Sequence, residues 1–201
     1  MRRIVLLFLL ALALPMAAFA HNSVDFTNAG GTLSGSSAGL SLSGSTLIAQ
    51  GTGGVSLITG TLGTVTFSTG ALTGLGNLQQ GATFAAGGTF VVTGNGTNGI
   101  HNGVIFTGTF SGPVTWTLVT LSNGTHNYTL TGALSGTWFS GMSVVGATVQ
   151  LTINTGKGFF NGSTTISSGD TNIVVPEPGS LTLLGTGLVG LAGVVRRKLK
   201  A

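Results

Sequence analysis

The sequence predicts an all-β protein, an antiparallel β-sandwich or open barrel, with an N-terminal signal helix and a C-terminal transmembrane helix. Three observations carry the β prediction. Apolar and polar residues alternate with a period of two in several stretches, Asn-Gly dipeptides recur between them, and no useful run has a 3.6-residue period. The composition narrows the chemistry. Cys is absent, which removes disulfides, thiolate nucleophiles and zinc fingers. Only 5% of the 201 residues are charged, against roughly 25% in an average soluble domain, so few groups can serve acid/base catalysis.

Residues 1–20 read as a secretory signal peptide. Arg2 and Arg3 precede the apolar run Ile4–Leu14, Pro15 interrupts it, and Ala18-Phe19-Ala20 supplies a small-residue cleavage site. Cleavage after Ala20 leaves His21 as the mature N-terminus. The apolar run is shorter than the ~20 residues that span a bilayer. The partners implied are the Sec export machinery and signal peptidase.

Residues 21–172 form the secreted Gly/Ser/Thr-rich β domain. Val145, Ala147, Val149, Leu151 and Ile153 alternate with polar or small neighbours. So do Val65 and Phe67, the set Val104, Phe106 and Phe110, the set Val114, Trp116 and Leu118, and the pair Tyr128 and Leu130. Each set is expected to face a core. Asn95-Gly96, Asn98-Gly99, Asn102-Gly103, Asn123-Gly124 and Asn161-Gly162 readily adopt positive φ in tight turns. Their spacing suggests about ten short strands. A β-helix or other solenoid is the alternative architecture. The Gly- and Ser-dense stretch 28–62 is expected to be a loosely held sheet edge.

The charge is concentrated at the ends. The whole chain carries +4, but residues 21–175 hold only Lys157, Asp25 and Asp170, a net of 1 − 2 = −1. Nucleic-acid binding needs several cations on one surface, so it is excluded. His101 and His126 have no acidic neighbour in sequence and are expected to be solvated loop histidines. No Gly-x-Ser-x-Gly elbow sits at a strand-to-helix turn. No catalytic residue, metal site or cofactor is therefore assigned, and the protein is read as a non-enzyme. A polysaccharide hydrolase would have to use Asp25 with Asp170, the only carboxylate pair of the region. Trp138 is the candidate glycan contact, on the expectation that it is exposed, whereas Trp116 is expected in the core. Thr-x-Thr pairs at 64/66, 107/109, 115/117 and 129/131 would give ranks of hydroxyls on a flat sheet. Ice-binding surfaces use such ranks, but with a regularity this sequence lacks.

Residues 173–201 combine three features. Pro176-Glu177-Pro178 is followed by a Gly-rich apolar helix at 179–195 and then the basic cluster Arg196, Arg197 and Lys198. Two prolines keep the motif extended. The helix would span about 25 Å, and the cations would remain cytoplasmic. In this order the features resemble the PEP-CTERM sorting signal of Gram-negative bacteria. The resemblance implies export, transient inner-membrane anchoring, and cutting near Pro-Glu-Pro by an exosortase-like membrane protease. It further implies delivery to the cell surface or extracellular matrix, commonly alongside exopolysaccharide.

Overall fold

The computed structural model describes residues 22–53 and 56–175. The signal peptide, the cleavage residues Ala18, Ala20 and His21, the Pro176-Glu177-Pro178 motif, the 179–195 helix and the Arg196, Arg197, Lys198 cluster lie outside the described residues. The strands are β1 (Asn22–Ala29), β2 (Thr32–Ser36), β3 (Gly39–Thr52), β4 (Ser56–Ser68), β5 (Leu72–Asn77), β6 (Gly81–Phe84) and β7 (Gly87–Asn95). They continue with β8 (Asn102–Phe110), β9 (Val114–Thr120), β10 (His126–Trp138), β11 (Ser143–Asn154), β12 (Ser163–Thr165) and β13 (Ser168–Val175). One short 3-10 turn, Thr97–Gly99, is the sole helical element among the described residues. No helix among them is long and apolar enough to cross a membrane.

Eight strands close an antiparallel barrel in the order β11-β13-β1-β3-β4-β7-β8-β10, with β10 pairing back to β11. The assigned registers are antiparallel, which is not how a β-helix pairs its coils. The barrel forks at one end. The first half of β10 leaves β8 and pairs with β9, which carries β6 and β5. The first half of β3 leaves β1 and pairs with β2, which carries β12. Gly30 and Gly31, both at positive φ, make the bend between β1 and β2. A Cβ on Gly31 would lie 2.5 Å from the Ser45 backbone nitrogen, so only glycine fits there.

Eight strands enclose just enough room for side chains to fill. Here Phe67, Phe90, Phe106 and Phe110 form an interlocked cluster, with Phe67 and Phe110 edge to face at 5.9 Å. Leu47, Leu62, Leu134, Leu151 and Ile153 complete the core. The outer wall is rich in Thr and Ser, the reverse of the apolar-out pattern of barrels that sit in lipid. The fork holds a second part of the core around Trp116, Tyr128 and Phe160.

Two sequence expectations fail at β-bulges. Val145 is 78% exposed, because Gly146 (φ +81°) is an extra residue opposite β10 and turns Val144 inward instead. Val104 is likewise exposed, because the β7–β8 register shifts and both Ile105 and Phe106 point inward. The stretch 28–62 is not a loose edge. It supplies the 14-residue β3, whose Leu40, Leu42 and Leu47 are buried, and Leu62 of β4.

Candidate functional site

The two carboxylates that lie far apart in sequence meet on the barrel wall. Thr27 of β1 donates to Asp170 Oδ1 at 2.9 Å, and Asn172 donates through Nδ2 to Asp25 Oδ1. These bonds set Asp25 across from Asn172 and Thr27 across from Asp170. The β12–β2 pairing, Thr165 with Thr32 and Ser163 with Ser34, continues the same register. Asp25 and Asp170 are therefore diagonal neighbours on one face, a relation that places such residues about 7–8 Å apart, their Cβ atoms somewhat closer.

Both carboxylates line an open groove of about 550 Å³ on the outer face of β9, β10, β11, β13 and β1. Thr115, Thr131, Thr148, Gln150 and Asn172 supply its other polar side chains, and Pro113 stands at its rim. The arrangement follows from register. Thr115 pairs with Thr131, Thr131 with Gln150, and Gln150 with Asp170. The same line extends through Thr83 to Thr73 on the far side. Thr73, Thr83, Thr115, Thr131, Gln150, Asp170 and Thr27 thus form one polar rank running across seven strands, with neighbours about 4.8 Å apart. A second rank, Ala133, Thr148, Asn172 and Asp25, runs beside it.

The other candidate residues stand elsewhere. Trp138 is buried, 8% exposed, with its ring 5.9 Å from Phe26 and 5.5 Å from Phe139. Its expected exposure does not hold, because β10 runs on into the barrel and turns this indole to the interior. His126 is also buried rather than solvated. Its Nδ1 lies 3.0 Å from Thr120 Oγ1, and its ring stacks on Phe159 at 4.2 Å. His101 stays exposed and stacks on Phe139 at 4.4 Å. Each histidine is thus held by its own phenylalanine, away from the carboxylates' hydrogen bonds. Among the described residues no three His, Asp or Glu side chains come together as a metal site.

In sequence, the last barrel strand ends beside the Pro-Glu-Pro motif. β13 pairs with both β11 and β1 and ends at Val175, immediately before Pro176. Proline has no N–H to give a ladder and restricts the residue before it, so the strand stops here for a local reason. Residues 174–198 match the PEP-CTERM protein-sorting motif. The PEP-CTERM motif marks an exported protein with a membrane-anchored sorting signal, and such substrates are processed by exosortase, a membrane protease. No curated protein and no solved structure matches this chain. The PEP-CTERM match covers the sorting segment and leaves the barrel to be read from its own geometry.

Proposed function

We propose that this is a non-enzymatic surface or extracellular-matrix protein, delivered by an exosortase-type system and associated with exopolysaccharide. The observation that carries the reading is the junction at Val175. Pro176-Glu177-Pro178 follows the barrel's closing strand directly, so a cut near Pro-Glu-Pro releases a domain with every strand in place. The non-enzymatic part draws on the groove. Asp25 and Asp170 are both exposed. No histidine, lysine, arginine or tyrosine stands among the groove's residues.

The test is the intact mass of the protein recovered from the host's envelope and medium. Loss of residues 1–20 together with the segment after Pro-Glu-Pro is the expected result. Retention of residues 179–201 would make the segment a plain membrane anchor and overturn the sorting part of the reading.

A second reading, a polysaccharide hydrolase, draws on the groove that both carboxylates line as diagonal neighbours. Release of reducing ends from polysaccharide, lost in both Asp25→Ala and Asp170→Ala, would replace the non-enzymatic reading.

A further inference from the structure

We propose that the outer groove binds an extended, polyhydroxylated chain that carries free amines, that is, an amino-sugar glycan. The groove is open and is crossed by two parallel polar ranks from successive strands. Such a surface meets a linear molecule along its length. The groups on it are three threonine hydroxyls, the amides of Gln150 and Asn172, and two carboxylates. Hydroxyls and amides both donate and accept, which is the chemistry that reads a sugar's hydroxyls.

The carboxylates decide the class of sugar. Each has one oxygen bonded to a neutral donor, Asn172 for Asp25 and Thr27 for Asp170. Among the described residues their second oxygens have no protein donor, and no lysine or arginine lines the groove. Asp25 and Asp170 are the only acidic groups between residues 22 and 175, so all the formal negative charge of the barrel lies in this groove. A polyuronate would be repelled there. A neutral glycan would offer only uncharged hydroxyl donors, so each bond to a carboxylate would be charged on one side alone. A protonated amine carries charge on the donor side as well, so attraction between opposite charges is added to the hydrogen bond.

The test titrates the full-length protein, in mild detergent, with glucosamine oligomers, N-acetylglucosamine oligomers and a polyuronate. The free-amine oligomers are expected to bind most tightly, with affinity falling as salt rises. The double variant Asp25→Asn, Asp170→Asn is expected to lower that affinity about tenfold or more. It should change the weaker binding of the acetylated oligomers by much less. Because that variant touches the β1–β13 seam, Thr148→Ala and Gln150→Ala serve as companions. Neither side chain makes a hydrogen bond among the described residues, so both variants should melt like the parent and bind less tightly.

Equal affinity for free and acetylated oligomers, or full affinity in all these variants, would overturn the proposal. Calcium binding without sugar, lost in the Asn variant, would overturn it in favour of a cation site. Binding in solution does not depend on delivery, so a negative result here leaves the sorting reading intact.

Discussion

Trp116 and Tyr128 stack at 5.0 Å between ring centroids and donate to consecutive carbonyls of one turn, Leu78 and Gln79. The two rings sit on paired strands, β9 and β10, and the turn joins β5 to β6. This clamp ties the outermost strands of the fork to the barrel. Tyr128 Oη also accepts from the Phe160 backbone N–H at 3.1 Å, so one hydroxyl satisfies a buried N–H and a partly buried carbonyl.

Tyr128→Phe keeps the ring and removes both bonds. It should lower stability by about 1–3 kcal/mol, the cost of leaving buried polar groups unpaired. Urea unfolding checks this: the midpoint should fall while the slope stays constant. An unchanged midpoint would mean that the hydroxyl's partners find other donors and acceptors.

Two glycines, Gly146 in the β11 bulge and Gly136 in regular β10, offer a contrast of backbone strain with steric conflict. Gly146 sits at φ +81° with open space around its missing Cβ, so Gly146→Ala should cost about 1–2 kcal/mol through conformation alone. Gly136 has no such φ, but a Cβ there would lie 2.1 Å from the Thr107 carbonyl oxygen. Gly136→Ala should force β8 and β10 apart and cost several times more. Thermal melts of the two variants, run side by side, give the ranking.

The β-bulges also mark where the sequence stops being readable. Strict alternation in Val114–Thr120 and Tyr128–Thr131 translates directly into buried and exposed faces, because those strands pair without interruption. Alternation through Val145 does not, since one glycine in an unforeseen bulge turns the residues before it over. The groove was illegible for a related reason. Thr115, Thr131, Gln150 and Asp170 look unrelated along the chain, and only the strand order aligns them. The Asp25–Asp170 relation depends on closure of the first strand against the last, which no local pattern encodes. The sorting segment is the opposite case: its three parts are contiguous, so it can be read without a fold.

The first half of β4 has an outer edge that is guarded by side chains. Asn95 Nδ2 and Thr97 Oγ1 donate to the Thr61 carbonyl, and Asn98 Nδ2 donates to that of Thr59. These groups occupy acceptors that another chain's strand would otherwise use. Asn95→Ala with Asn98→Gly should uncover the edge. Glycine is chosen at 98 because the backbone there has φ +53°. The expected outcome is self-association at high concentration, measured by light scattering, with the monomer's circular dichroism unchanged.

Truncation tests the closing strand. A chain ending at Val175 retains all of β13 and should fold as the full-length protein does. A chain ending at Gly169 loses most of the strand and exposes the facing edges of β1 and β11. Limited proteolysis should leave the first barrel intact and digest the second. Equal resistance would mean that the barrel holds without its last stave.

β13 stands between two neighbours, and that placement sets how the molecule bears force. While the sorting segment is attached, a pull on it enters at Val175 and runs along the axis of β13. The ladders to β11 and β1 then carry the load together in shear, so their bonds must fail as a group rather than one after another. A ligand gripped by Asp170 and Asn172 would hang from this same strand. Tether and cargo would then be in line, with the rest of the barrel bracing the strand from both sides.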